Sequence, residues 1–414
     1  MIQTPVPELK QDRLQPQLGA LSITSYLRSV GYGATFLDLS GQEESEWKIP
    51  VADWYGFTTY STSYHRTKKI VERCRSVNPY ARMIAGGPHA TALPREVAKD
   101  FEFVVTGEGE MPTEWILRGI ATRRIVEGLP FANLDALPFP DFSLVNLGSY
   151  DRIVGGMPSI SLQSSRGCPY SCVFCNSQIM GKGNKPRFRS PENVVKEIAF
   201  HRALGRRAFR FEDDLFALKY SWLARFTELV KEYDIIYRAF VRGDTLANPG
   251  VAELLYEGGC RHLAIGVESG SSMILDADHM NKGEPPERIK AGIRRAKDAG
   301  HIVRGYFMVG FPGESWGTIE ETLDFARTMK LHEHSIYPLI IYPGTELWNN
   351  PGKFGIKILD RDFSHYFQVC GDQTAWVTYC TKDLTQDTIW KMYIHMKAEM
   401  SEISSWSGTV GEYK

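Results

Sequence analysis

Three of the seven cysteines fall in one short stretch, RGCPYSCVFCN, where Cys168, Cys172 and Cys175 are spaced C-x3-C-x2-C. Clustered thiols in a chain too long to be a disulfide scaffold point to metal chemistry. Structural zinc asks for four closed ligands, commonly in two C-x2-C or C…H pairs, and no second pair follows at that spacing. A zinc loop and a chance grouping are the alternatives. Three thiolates on a 4Fe–4S cluster leave one iron without a protein ligand, and an open position separates a working metal from a structural one. Cys74, Cys260, Cys370 and Cys380 are scattered and read as ordinary small residues. Cys370 and Cys380 alone are too few ligands for a second centre.

The cysteines directly follow a candidate strand, Ser159–Ser164, the first of six. Ala208–Glu212, Ile236–Val241, His262–Val267, Val303–Val309 and Ser335–Ile341 follow, with helical patterns such as SPENVVKEIAFHRAL and EPPERIKAGIRRAKDAG between them. Ser190 is placed to cap a helix that has Pro191 at its first position. Strands alternating with helices predict a partial α/β barrel, a (β/α)6 arrangement whose chemistry sits at the carboxyl strand ends. After Tyr342 the pattern loosens, then closes in a helical stretch, DLTQDTIWKMYIHMKAEM.

The amino-terminal part has the same rhythm. LGALSITSYLRSVGY reads as a helix, ATFLDLS and DWYGFTTY as strands, YHRTKKIVERCRSV as a helix, and ARMIAGG and FEFVVTGEGE as strands. This predicts a doubly wound, Rossmann-like parallel sheet. Three polar loops of small residues fall at its strand ends: 58–64 (TTYSTSY), 86–91 (GGPHAT) and 107–110 (GEGE). They would carry a large polar ligand; plain tight turns are the alternative. The expected division is 1–127, a proline-rich linker at 128–156, the barrel at 157–345, and a small helical extension at 346–414.

Bulk properties narrow the field. The chain has 414 residues, 43% hydrophobic and 23% charged, with a formal net charge of -1. That excludes the basic field by which proteins grip nucleic acid or an anionic membrane. No apolar run is long enough for a membrane span. The opening MIQTPVPELKQDRLQP is polar, unlike a secretory signal, so the expected location is cytoplasmic.

The cysteine loop, with Phe174 just before the last cysteine, resembles that of the radical S-adenosylmethionine enzymes. Further segments match at the predicted strand ends. Glu212 and Asp213 in FEDD, and Arg242 in FVRGD, resemble positions near the polar groups of S-adenosylmethionine. Glu268 and Ser269 in GVESG resemble the ribose- and carboxylate-contacting turn. Gly310 and Pro312 in MVGFPGE resemble the segment along the adenine, and YPGT at 342–345 is common in the group. PQLGALSITSYLRSVGYGATFLDLS, AGGPHATALP and FVVTGEGE resemble the amino-terminal cobalamin-binding domain of one branch of that family. The resemblance implies cobalamin contacts from Thr59, Ser61, Thr62, Gly86, Gly87, His89, Gly107 and Glu108. It departs from other cobalamin proteins at Asp38-Leu39-Ser40-Gly41, where the histidine of D-x-H-x-x-G is missing, and His65 and His89 read as surface or loop-capping residues. It departs again at the start, where a short first strand, Ile2–Pro5, leaves that sheet edge incomplete.

The resemblance implies three cofactors: a 4Fe–4S cluster, S-adenosylmethionine and cobalamin. It implies a methyltransferase acting on an unactivated carbon of a small-molecule or natural-product substrate, through a deoxyadenosyl radical and methylcobalamin. An external electron donor such as flavodoxin or ferredoxin would feed the cluster. A non-methylating rearrangement, cyclisation or oxidation is the alternative, and a non-catalytic cobalamin or iron–sulfur sensor the rival of another class. Tyr366, Trp376 and Tyr379 would either shape a substrate site or pack a core. No general base is assigned.

Overall fold

The structure is a computed structural model that describes residues 1–7, 12–181, 185–367 and 377–403. Cys370 and Trp376 lie outside the described residues.

The first sheet has six strands: β1 (Ile2–Gln3), β2 (Leu37–Asp38), β3 (Trp54–Thr58), β4 (Arg82–Gly86), β5 (Phe103–Thr106) and β6 (Ile125–Glu127). Their order is β2-β1-β3-β4-β5-β6 and every pairing is parallel. This is the doubly wound order in which the chain reverses beside the first strand. The expectation of an incomplete edge at the start is corrected. β1 is only two residues long, yet it lies inside the sheet, where Ile2 pairs with both Leu37 and Phe57. The strands are apolar on both faces because helices cover both. Phe57, Met83, Ala85 and Val104 are almost fully buried in one core with Ile70, Val71 and Cys74 of the Tyr64–Val77 helix.

The stretch between the sheets is more ordered than a plain linker. Asn133, Asp141 and Asn146 each accept a backbone N–H from two residues ahead, closing short helical turns at Leu134–Ala136, Phe142–Leu144 and Leu147–Ser149. It ends in β7 (Ile153–Val154), which pairs antiparallel with β8 (Met157–Leu162).

After β8 comes a small hairpin, β9 (Ser165–Arg166) with β10 (Arg187–Phe188), whose connection carries the cysteines. Then follow β11 (Ala208–Phe211), β12 (Ile236–Phe240), β13 (Cys260–Glu268), β14 (Ile302–Val309) and β15 (Glu333–Pro338). The second sheet runs β15-β14-β13-β12-β11-β8-β7, and its six long members are parallel in chain order. This is the expected partial barrel. Ser190 accepts from Asn193 N–H at 3.1 Å, as the capping signal predicted.

Period-two alternation sets the two faces of this sheet. Ile160, Leu162, Phe209, Phe211, Tyr237, Leu263, Ile265 and Val267 join the helix-side core. Their neighbours Ser161, Arg210, Arg238, His262, Arg304, Tyr306 and Tyr337 do not. A closed barrel fills that inner face with branched apolar side chains; this one is polar and aromatic, the lining of a binding site. The carboxyl-terminal part adds an antiparallel pair, β16 (Ile356–Ile358) with β17 (Tyr379–Thr381), and the expected helix, Gln386–Ile403. Among the described residues no helix is long and apolar enough to cross a membrane.

Candidate functional site

Two adjacent cavities lie where the carboxyl ends of both sheets meet. The first, of ≈350 Å³, has a floor of small residues from the three loops at the ends of β3, β4 and β5, including Thr58, Gly86, Gly87, Gly107 and Glu108. The Leu18–Ser29 helix walls one side with Leu18, Gly19, Ser22 and Ile23, and the barrel closes the other with Gln163, Arg166, Asn176, Arg187, Glu212 and Asp214. The second, of ≈760 Å³, lies over the inner face of the barrel and is lined by Cys175, Arg210, Phe240, Gly266, Glu268, Tyr306, Met308 and Tyr342. Tyr60 and Asn176 line both.

The cysteine loop is built by contacts from several elements. Val173 N–H donates to Met280 O at 3.1 Å, Leu347 N–H to Val173 O at 3.2 Å, and Asn281 Nδ2 to Ser171 O at 3.0 Å. The Arg242 guanidinium stacks on Tyr170 at 3.7 Å from the ring centre and is fixed by Asp244 and Lys282 O. All three thiols are free and half-buried, and Cys175 Sγ lies 3.2 Å from Ser177 Oγ. Burial pushes the Cys168 thiol up and the Cys172 thiol to about 11, against the pull of Arg242 on both and of Lys282 on Cys172. Among the described residues no group of three or more His, Cys, Asp or Glu converges on one ion position. In a 4Fe–4S cluster each thiolate takes a different iron, so the three thiols need not converge on one position. Three thiols with two cations at their side fit such a cluster.

The remaining strand-end residues fall into two sets. Glu212 lines the first cavity; its carboxylate is 3.1 Å from Ser161 Oγ and 2.6 Å from Arg210 Nε. Glu268 lines the second at a bulge in β13, in the left-handed region (φ 66) that a non-glycine residue enters only under strain. Burial pushes its carboxyl up, with Lys282 opposing and Glu284 adding to the rise. Gly310 (φ 92) and the buried Pro312 form the turn after β14, held by Glu314, which accepts Gly310 N–H at 2.5 Å and Phe311 N–H at 3.2 Å.

Asp213 and Ser269 face inward to the protein instead. Asp213 takes Ser164 N–H and both the Ser164 and Ser165 hydroxyls at 2.5–3.0 Å, fixing the chain just before the cysteines. Ser269 Oγ accepts Ser271 N–H at 3.1 Å and contacts Thr322 Oγ1 at 3.2 Å.

On the first sheet, Gly86, Gly87, Gly107 and Glu108 border the first cavity and Thr62 the second. Thr59, Ser61 and His89 lie behind that floor. Thr59 hydrogen-bonds Gly86 O and Ala90 N–H, and Ser61 Oγ contacts His89 Nδ1 at 2.9 Å. The His89 ring packs on Tyr64 and Phe363, and burial lowers it to about 4, with Lys68 adding to the shift. No histidine lines the cavity among its described walls. Glycine at 87 (φ 91) lets the chain cross Thr58 and Thr59 closely, where a Cβ would come within 2.9 Å of Thr58 Cγ2. A flat floor of glycine and threonine suits the broad face of a corrin ring.

Sequence reasoning missed Arg166, Arg187, Lys282, Glu284 and Arg210. None carries a motif signal of its own, and tertiary contacts show which groups it meets. Tyr379 packs as core, donating to Gly310 O at 2.6 Å, whereas Tyr366 lines the second cavity.

Comparison with known proteins follows this geometry. Residues 162–326 match the model of the Radical SAM superfamily, and residues 13–117 match that of the B12 binding domain. An uncharacterised methyltransferase from Pyrococcus horikoshii is 28% identical over 72% of this chain and 68% of its own length. The bacteriochlorophyllide d C-8(2)-methyltransferase of Chlorobaculum tepidum is 24% identical over 76% and 71%. Among solved structures, the radical S-adenosylmethionine methyltransferase TsrM from Kitasatospora setae, with cobalamin and a [4Fe-4S] cluster bound, superposes with a TM-score of 0.69. That match has 15% identity and covers 97% of this chain and 88% of that one, a likeness of fold. With both regions matched, in order, on the two sheets whose strand ends meet at the cavities, the chain belongs to the radical SAM superfamily, in the branch that adds a B12-binding domain.

Proposed function

We propose that this protein methylates an unactivated carbon of a small molecule, as a cobalamin-dependent radical S-adenosylmethionine methyltransferase. The observation that carries the reading is the adjacency of the two cavities, which share Tyr60 and Asn176 as wall residues, with Cys175 on the wall of the second. A site on the β3–β5 loops and a site at the cysteine loop thereby lie side by side, as transfer between them requires. The methyltransferase names of the Pyrococcus and Chlorobaculum relatives support the same reading.

When bound, the cluster with S-adenosylmethionine supplies a hydrogen-abstracting radical and cobalamin a methyl group. Cys168, Cys172 and Cys175 hold the cluster, and Arg242 and Lys282 offset its negative charge. Glu212, Glu268, Gly310 and Pro312 flank S-adenosylmethionine, with Asp213 and Ser269 positioning the turns from behind. Gly86, Gly87, Gly107 and Glu108 carry the corrin, Thr62 borders its open side, and Thr59, Ser61 and His89 brace its floor. A reduced flavodoxin or ferredoxin would deliver electrons in the cytoplasm.

Anaerobic reconstitution with iron, sulfide and cobalamin tests this. With S-adenosylmethionine and a strong reductant, the loaded protein should form both deoxyadenosine and S-adenosylhomocysteine. Cys172→Ala should lose the cluster's charge-transfer absorbance and its deoxyadenosine. Deoxyadenosine with no S-adenosylhomocysteine would leave the protein a radical enzyme of another outcome; neither product would leave a sensor.

A further inference from the structure

The larger cavity has a specific charged feature at its base. Arg210, in the middle of β11, points from the inner face, in register with Ser161 of β8 and Arg238 of β12. It is 8% exposed and lines the cavity. Its Nε sits 2.6 Å from Glu212 Oε1, yet its Nη1 is buried and meets no hydrogen-bond acceptor among the described residues. A buried guanidinium N–H with no acceptor is costly, and a site that leaves one open is shaped for a ligand that brings the acceptor.

The surroundings say which ligand. Arg152, 6% exposed, lines the same cavity. Behind the lining, burial first and Arg238 and Arg304 second hold His262 down to about 4, and burial with Arg304 does the same to His334. Arg304 is itself paired with Glu333 at 2.6 Å, so the cations on the cavity lining are Arg210 and Arg152, with Asp12 and Glu268 as its carboxylates. The walls are aromatic, with Phe240, Tyr306, Tyr337, Tyr342, Tyr366 and Phe367 around the cavity. Tyr306 and Tyr337 lie nearly parallel, 6.4 Å apart, and Tyr306 OH accepts from Arg238 at 2.7 Å. Such walls favour a flat, conjugated body. Glu212 on the same guanidinium disfavours a dianion and leaves room for one negative charge.

We infer that the substrate is a carboxylate-bearing aromatic or polycyclic molecule whose carboxylate is anchored by Arg210 at the base of the barrel, with Arg152 beside it. The inference rests on the methyltransferase reading only in calling this cavity the substrate site. Arg210 lies a layer below the strand ends where S-adenosylmethionine is placed, so its anion is a different one.

Equilibrium binding of a fluorescent probe tests it without turnover. The reconstituted protein, saturated with S-adenosylmethionine, is titrated with 1-pyrenebutyrate and with its uncharged amide. The acid should bind at least about tenfold more tightly than the amide, the loss expected for one charged hydrogen-bonded contact. Arg210→Gln should erase that difference while keeping the cluster absorbance and the affinity for the amide, and Arg152→Gln should reduce it. Equal binding of acid and amide, absence of acid binding, or a preference that survives in Arg210→Gln overturns the inference. Displacement of the acid by inorganic phosphate at equal concentration overturns the choice of carboxylate, and weaker S-adenosylmethionine binding by Arg210→Gln would reassign the arginine to that cofactor. A protein that makes no methylated product yet shows the acid preference would sink the methyl-transfer reading alone.

Discussion

Glu314 shows how one buried residue can make a turn depend on pH. Its Oε2 accepts both amides of the Gly310–Phe311 turn, and burial pushes its carboxyl up to about 8 against those two hydrogen bonds. The ordinary value is 4.5, so between about pH 4.5 and 8 the unfolded chain has lost a proton that the folded chain keeps. The folded state binds more protons there, and stability falls as pH rises through that window, levelling above it. Glu314→Gln keeps an acceptor oxygen and removes the titration. Denaturant melts should show the variant more stable than the parent at pH 8, by on the order of a few kcal/mol, with the gap closing near pH 4.5. Parallel curves across that range would refute the assignment. MVGFPGE was visible in the sequence, but Glu314's burial was not, because a carboxylate in a glycine-rich loop reads as solvated until Tyr379 and Ile389 are seen to pack on Gly310 of the same turn. Arg210 and Lys282 were hidden for the same reason.

At the scale of elements, the six barrel strands and the main helices were legible because their apolar periodicity runs for several residues on each. What escaped was short. β6 has three residues and β7 two, so no local pattern announces them, whereas β1 and β2, two residues each, fall within the expected Ile2–Pro5 and ATFLDLS. The β9–β10 hairpin is equally brief, although it frames the cysteines. The three loops on β3, β4 and β5 were legible as loops, and the structure divides them into residues that face the cavity and residues that brace it. Gly87 tests that division. In Gly87→Ala the new Cβ would meet Thr58 Cγ2 at 2.9 Å in a backbone region that alanine resists, whereas in Gly86→Ala the nearest atoms are those of Val105 at 3.8 Å. Gly87→Ala should therefore cost about 1–3 kcal/mol, and lower both the melting temperature and the cobalamin bound per chain. Gly86→Ala should melt like the parent. Indistinguishable melting of the two would mean that the floor is not held by the close crossing at Thr58.

For the whole molecule, the decisive feature is the ionic contact between the sheets. Arg166, two residues before Cys168, places Nη2 2.7 Å from Glu110 Oε1 and Nη1 3.3 Å from Glu108 Oε2. Arg187, across the hairpin, also pairs with Glu108 and donates to Phe131 O at 2.6 Å. The hairpin that frames the cysteines is thereby tied to the loop that borders the other cavity. The carboxylates are nearly buried, with side-chain exposures of 9% for Glu108 and 4% for Glu110. Burial pushes Glu108 up, but Arg187 and Arg166 outweigh it and hold the carboxyl below its usual range. Its folded value is depressed, so the contact persists above that usual range and is lost only as pH falls through the folded value. Composition could not announce this contact, since GEGE and SRG lie more than fifty residues apart and nothing in either names the other. Removing one partner strands a buried charge, so Arg166→Met should cost about 3–5 kcal/mol, and it should release cobalamin and open the 128–156 connection to protease. Adding Glu110→Gln removes the stranded charge and should restore most of the lost stability, the coupling that a double-mutant cycle isolates. Calorimetry of the single and double variants decides the matter: a double variant no more stable than Arg166→Met would show that the two sheets are held together by something other than this contact.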